Sequence, residues 1–282
     1  MQKRLLAVLA HPDDESFGPG GTFARYVAEG VDVHIVIATD GAVGSVVEAY
    51  ANERERLAAV RADELQTAVQ ILGVNLHTLG YRDSGYLNDP ANNHPEAFIN
   101  ADETEAIGKI VRLIREIKPQ VVVTHDEMGG YLHPDHIQCW KITTPAFFAA
   151  GDPDQYQTLG LEPFQPERLY YSAFSNRWVK FAMVILKLRG KDPTKFGRNK
   201  DIDITKIGVD PKVITTVVDY RPYWNVKMAA GAAHASQGGG RGGPRMIPAW
   251  FQKRFLGKDT FIRAYPQPAN GLHEEDLFAD VY

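Results

Sequence analysis

The sequence predicts an α/β protein of Rossmann-like type, a mainly parallel β-sheet flanked by helices and followed by a C-terminal elaboration. Three observations predict it. Apolar runs of strand length alternate with segments of helical period through the first two thirds of the chain, the pattern of successive β-α-β units. The 282 residues are 44% hydrophobic and 23% charged, close to globular averages, and this length suits one large domain over residues 1–282. The first apolar run stops abruptly at a histidine and three acids, which is what a strand does when it leaves an open sheet for the crevice beyond its carboxyl end.

The elements follow in order. Residues 5–9, 33–38, 76–79, 121–124 and 169–172 read as strands, each a short β-branched or leucine-rich run. Between them, residues 20–29, 51–72, 104–117 and 134–149 read as helices. In the second of these, Leu57, Val60, Ala68, Ile71 and Leu72 form an apolar stripe, while Glu53, Arg54, Glu55 and Arg56 supply a solvated face. The core then spans about residues 3–174. Beyond it the pattern changes: residues 178–188 look helical, 213–218 like a further strand, and 222–236 like a helix that ends in Gly238-Gly-Gly-Arg-Gly-Gly-Pro244. That glycine run lacks the strand and Lys-Ser/Thr context of a phosphate loop, so it reads as a mobile surface loop or lid.

Charge and composition exclude several classes of function. There are 31 Lys plus Arg against 35 Asp plus Glu, a net charge of -4, so no overall basic field exists to hold nucleic acid. The single cysteine, Cys139, makes neither an internal disulfide nor a thiolate metal site. Any metal must therefore sit on His, Asp and Glu. Residues 1–10 lack the length and cleavage site of a signal peptide, and 178–188 is broken by Lys180 and Lys187 and too short to span a bilayer. A cytoplasmic protein without a membrane span is expected.

Chemistry concentrates in two segments. His11-Pro-Asp-Asp-Glu15 follows the first strand, and three acids so close together require a cation or water to stabilise them. His133-Pro-Asp-His136 follows the strand at 121–124, and Pro134 suits the first position of a helix, so His133 caps it while His136 faces the same strand ends from its first turn. The combination of His11, Asp14 and His136 offers three nitrogen and oxygen donors with room for water, the pattern of a catalytic metal site. His34, His77, His94 and His273 read as structural. A nucleotide-binding reading is disfavoured, because the first βα turn carries acids where a pyrophosphate needs neutral glycines.

With these residues in view, the sequence resembles the PIG-L/LmbE-like family of zinc-dependent N-acetylglucosaminyl deacetylases, and in particular its mycothiol deacetylase and mycothiol S-conjugate amidase branch. The resemblance also rests on Thr39-Asp40-Gly41, Arg61-x-x-Glu64, Gly80-Tyr-Arg-Asp-Ser-Gly85, Gly129-Gly-Tyr131, Lys227-Met-Ala-Ala and Ala233-His-Ala-Ser-Gln237, and so covers most of residues 3–237. It implies one Zn²⁺ per chain, with Fe²⁺ as the alternative, held by His11, Asp14 and His136. It makes Asp13 the general base, His133 the group that stabilises or protonates the tetrahedral intermediate, Asp135 the residue that tunes His133, and Tyr131 a mobile phenol polarising the amide carbonyl. Arg61, Asp83 and His234 fall at positions that face the sugar or line the cleft, and Glu15 is a cap or supports the ligands. The loop after Gly41 reads Ala-Val-Gly-Ser where many relatives carry acids.

The activity this implies is removal of an acyl group, in the first place acetyl, from an N-acyl amino sugar or its conjugate. The partner is a small molecule, and a homo-oligomer is left open. Cleavage of a thiol-sugar conjugate and a non-catalytic sugar- or metal-binding role are the alternatives. A cationic His133 beside Asp135 would give a bell-shaped pH dependence of kcat/KM.

Overall fold

Every apolar run read as a strand pairs into one sheet. The computed structural model describes residues 2–177, 179, 183, 192–194, 203–239 and 249–281. Its seven strands are β1 (Arg4–Leu9), β2 (Asp32–Thr39), β3 (Asn75–Tyr81), β4 (Val121–His125), β5 (Arg168–Ser172), β6 (Thr216–Asp219) and β7 (Lys258–Tyr265), in the spatial order β3-β2-β1-β4-β5-β7-β6. β1 to β5 are mutually parallel, whereas β7 runs antiparallel to both β5 and β6. The order reverses at β1, which pairs with β2 on one side and β4 on the other. A crevice at that switch point is where ligands bind in open α/β sheets.

The central strands β1 and β4 are buried and apolar on both faces because helices cover both. The helices that matter here are α1 (Asp14–Phe17), α2 (Gly20–Ala28), α3 (Leu57–Leu72), α4 (Glu103–Ile117), α5 (Gly129–Leu132), α6 (Pro134–Ala149), α7 (Trp224–Ala233) and α8 (Ala249–Leu256). On one face Leu5, Ala7 and Leu9 of β1 pack with Phe23 and Tyr26 of α2 and Leu65 and Val69 of α3. On the other, Leu6 and Val8 pack with Ile110, Val111 and Ile114 of α4 and Ile142 and Phe147 of α6. Alternation along one strand thus feeds two cores.

Several boundaries differ from the sequence reading for identifiable reasons. The helix expected over 51–72 begins only at Leu57, because Glu48–Arg56 buries no residue and forms 3-10 turns instead. Its buried stripe runs through Leu57, Arg61, Leu65, Ala68, Val69 and Leu72, with Ile71 exposed. The strand expected over 213–218 is displaced to Thr216–Asp219, since Asp210 caps a turn over Pro211–Val213. The helix expected over 222–236 narrows to α7, with a 3-10 turn at each end. β7 was not anticipated, and it lies inside the sheet between β5 and β6. Most of the expected helix at 178–188, and residues 240–244 of the glycine run, lie outside the described residues. Among the described residues, no helix is long and apolar enough to cross a membrane.

Candidate active site

Four neighbouring strand ends deliver the reactive residues to one place. β1 runs into His11-Pro-Asp-Asp-Glu15, β2 into Asp40 and Gly41, β3 into Arg82, Asp83 and Ser84, and β4 ends on His125, with His133 and His136 following through α5 and the start of α6. His11 Nδ1 lies 3.2 Å from His136 Nε2 and 3.6 Å from Asp14 Oδ2, and His136 Nε2 lies 3.4 Å from Asp14 Oδ1. Three donors about 2.0–2.1 Å from one ion, at tetrahedral angles, stand roughly 3.3 Å apart. The two imidazoles approach that spacing, each faces a different oxygen of Asp14, and the His/Asp donor set suits a small divalent cation.

Local hydrogen bonds set this arrangement. Asp14 Oδ2 accepts from the backbone N–H groups of Ala10 (3.1 Å) and His11 (2.8 Å), which pins the carboxylate at the strand end. Asp135 Oδ2 accepts from His11 Nε2 at 3.1 Å and from the Ser84 backbone N–H at 3.0 Å. With its proton on Nε2, the His11 ring turns the Nδ1 lone pair toward Asp14 and His136, as a carboxylate behind a ligating imidazole does. Asp135 thus backs His11 and not His133, contrary to the expectation from sequence. His133 is the N-cap of α6, and its Nδ1 accepts from the Asp135 backbone N–H at 3.2 Å, so the main chain joins these two residues.

That same bond decides the state of His133. A ring whose Nδ1 accepts carries its one proton on Nε2. Burial, followed by the neighbouring His11 charge, pushes His133 down to about 3. Both features favour a neutral ring that donates from Nε2–H over the cation expected from sequence.

Asp13 sits where φ is 134°, a left-handed region unfavourable to a residue with a side chain. Its Oδ2 lies 3.1 Å from Arg61 Nη2, and burial pushes its carboxyl up to about 6 against the pull of Arg61. Arg61 also donates to the carbonyls of Pro12 and of Gly41, the latter at 2.9 Å. Gly41 has φ 64°, and a Cβ there would stand 2.6 Å from the guanidinium carbon, so this approach requires glycine. Asp83 accepts from the backbone N–H of Val43 (3.0 Å) and of Gly85 (2.8 Å) and lies 3.7 Å from His11 Nε2.

His11, Asp13, Arg61, Asp83, Tyr131 and His133 together line a cavity of about 170 Å³, with Val43, Gly44, Ser45, Tyr86 and Gln237 on its walls. Tyr131 lies in α5, where Gly130 and Tyr131 depart from helical angles, and its ring stacks on Tyr86 at 5.9 Å. Burial raises the Tyr131 phenol, so it stays protonated and able to donate. His234 is not on the cavity wall. It is fully buried, 2.6 Å from Glu15 Oε1.

His125 escaped the sequence reading. Its Nε2 is buried without a hydrogen-bond partner, 3.5 Å from Asp14 Oδ2, and its ring stacks on His136 at 3.9 Å. Asp14, His125 and His136 form one of three overlapping donor triads here, the others being His11, His133, His136 and His11, Asp83, Asp135. The available signal was a histidine at the carboxyl end of a valine-rich strand, the same placement as His11.

Residues 6–147, half of the chain and the half that carries this cluster, match the family described as GlcNAc-PI de-N-acetylase, PIG-L. The chain belongs to the PIG-L family. Family likeness extends along its whole length, since 1D-myo-inositol 2-acetamido-2-deoxy-alpha-D-glucopyranoside deacetylase of Acidothermus cellulolyticus is 38% identical over 100% of this chain and 96% of the relative. Mycothiol S-conjugate amidase of Streptomyces coelicolor is 36% identical over 99% of this chain and 98% of the relative. Both lie in the branch that the sequence resembles. Among solved structures, N,N'-diacetylchitobiose deacetylase from Pyrococcus horikoshii shares the PIG-L fold with a TM-score of 0.61 at 20% identity, covering 93% of this chain and 83% of that one.

Proposed function

We propose that this protein hydrolyses the acyl amide of an N-acylated amino sugar or its conjugate, and that N-acetylglucosaminyl-inositol is the substrate to try first. The observation that carries this reading is the placement of Asp13, Tyr131 and His133 on one cavity wall with His11, beside the Asp14 and His136 donors. Mere binding of sugar or metal calls for neither a base nor an oxyanion donor. His11, Asp14 and His136 would hold the ion, zinc first and iron(II) as the alternative, with the orphan Nε2 of His125 beside them. When bound, such an ion supplies a Lewis acid that polarises the amide carbonyl and lowers the pKa of water.

The chain's own groups do the rest. Asp13, ionised and oriented by Arg61, accepts the proton of the attacking water. As the carbonyl oxygen gains negative charge, His133 donates from Nε2–H and Tyr131 from its phenol, both from the cavity wall. The Asp13 carboxyl, now protonated, hands that proton to the departing nitrogen, so that amine rather than amide anion leaves. The products are a carboxylate, acetate for an acetamido sugar, and a free amino sugar. The Val43-Gly44-Ser45 wall meets substrate without charge, and the action is on a small molecule in the cytoplasm.

The test is incubation of the zinc-loaded protein with 1D-myo-inositol 2-acetamido-2-deoxy-alpha-D-glucopyranoside, and separately with a mycothiol S-conjugate, following acetate and free primary amine. Equimolar acetate and amine from the first is the expected result. Amine from the conjugate alone moves the assignment to the amidase, and amine from neither overturns it.

A further inference from the structure

Glu15 and His234 are a titratable pair with no exposed surface, 219 residues apart in sequence and outside the cavity. Nothing in the chemistry above uses them. Their contacts nevertheless lead to one reacting group. Glu15 Oε1 faces His234 Nε2 at 2.6 Å and accepts from Ser16 Oγ at 2.6 Å, while Oε2 accepts the backbone N–H of Asp13 at 2.9 Å. Asp13 is the residue whose φ of 134° a side chain resists, and the helix it precedes receives no cap from the Asp13 side chain. Conformations of this kind are unfavourable and persist only where the surroundings over-determine them. The surroundings here are the Glu15 bond to the main chain and the Arg61 contact to the carboxylate.

His234 is itself held from the far end of the chain. It follows α7, and two residues on, the Ser236 N–H and hydroxyl are both accepted by Glu64 of α3, at 2.7 and 2.6 Å. The Phe17 ring closes over His234 with centroids 5.9 Å apart. A buried carboxylate requires a charged or hydrogen-bonding partner, or it turns away or takes up a proton. Beside the Ser16 hydroxyl and the Asp13 N–H, His234 supplies Glu15 with its ionisable partner from outside its own turn. Without it Glu15 loses its reason to point at Asp13 N–H, and the Asp13 carboxylate loses its direction.

We propose that the His234–Glu15 pair is the positioning device of the general base, holding the Asp13 backbone in its unfavourable conformation so that the carboxylate points into the cavity. Neither residue touches substrate, so both act through Asp13. This rests on the reading of Asp13 as the base, and it gives the C-terminal region, which also brings Gln237 to the cavity wall, a part in the site.

The experiment is a kinetic cycle on the zinc-loaded protein with 1D-myo-inositol 2-acetamido-2-deoxy-alpha-D-glucopyranoside, comparing Glu15→Gln, His234→Ala, His234→Gln, Asp13→Ala and the double variant Asp13→Ala/Glu15→Gln. Zinc content and melting temperature are measured for each. Glu15→Gln and His234→Ala are expected to keep their zinc and their KM and to lose about 10- to 100-fold in kcat, the scale of a misaligned reacting group. His234→Gln, which restores an N–H toward Glu15, should recover much of that loss. Groups that act as one unit are not additive, so adding Glu15→Gln to Asp13→Ala should change nothing further. A wild-type kcat in Glu15→Gln, zinc lost in step with kcat, or an additive loss in the double variant overturns the proposal while leaving the base assignment intact. A wild-type kcat in Asp13→Ala overturns the base assignment, and the proposal with it. If one single variant does not fold, the other carries the comparison, since both are expected to act through the same atom.

Discussion

His125 and Asp13 show at the scale of single residues how neighbours decide chemistry. The Nε2 of His125 is buried, without a hydrogen-bond partner, and 3.5 Å from an oxygen of Asp14. An orphan nitrogen costs free energy unless something is there to use its lone pair or proton. His125→Ala is accordingly expected to weaken metal affinity about 10- to 100-fold, the usual effect of losing a group that supports ligands, as measured by competition with a chromophoric chelator. Unchanged affinity would leave the ion to His11, Asp14 and His136 alone. Asp13→Ala is expected to keep its metal and to lower kcat by about 10²- to 10⁴-fold, the range for a general base, as read from amine release alongside metal analysis. Full activity in that variant would pass the role to another group on the cavity wall.

Strand β3 has its own chemistry at the scale of the element. It is the edge of the sheet, and on one face His77 Nε2 stands 3.0 Å from His34 Nδ1 of β2, with the rings stacked at 5.3 Å and Asp32 Oδ2 3.2 Å from His34 Nε2. Both histidines were read from sequence as structural. Burial first, and the neighbouring His34 second, lower the His77 pKa, with Glu116 opposing. For a base lowered on folding, the unfolded chain takes up the proton first. Stability linked to His77 is therefore full above about pH 6.5 and declines as pH falls toward the folded value. Urea midpoints at pH 7.5 and 5.5 should fall further apart in the wild type than in His77→Gln, and equal intervals would show that the pair has no linked effect.

The C-terminal segment matters to the molecule as a whole. Leu277, Phe278 and Val281 belong to the same core cluster as β1 and α2, and the Tyr26 hydroxyl meets both the Leu277 backbone N–H and Asp276 Oδ1 at 2.7 Å. Glu274 takes hydrogen bonds from Thr216 Oγ1 at 2.9 Å and Tyr170 at 3.1 Å, and pairs with Arg263 at 2.7 Å. Each of the three apolar side chains contributes about 1.5–3 kcal/mol on burial. Their sum is comparable with the roughly 5–15 kcal/mol that stabilises a whole domain. Ending the chain after Gly271 should abolish cooperative thermal unfolding followed by circular dichroism. A truncated chain melting near the wild-type temperature would mean that the segment merely decorates the core.

How much of this was legible beforehand depends on the range of each signal. Strands β1 to β5 and helices α2, α4 and α6 could be read directly, because apolar periodicity is local and the chain must bury those faces wherever it runs. That His11, Asp14 and His136 meet could be read too, since their spacing after two strands placed them on one rim. Tertiary structure alone decided the partners. Asp135 backs His11 across 124 residues, Arg61 turns inward on a helix whose neighbours looked solvated, and β7 enters the sheet beside β5 from the far end of the chain. In each case the choice belongs to whichever polar group or apolar face is left without water once the layers close. That depends on the path of the whole chain, which no window of residues contains.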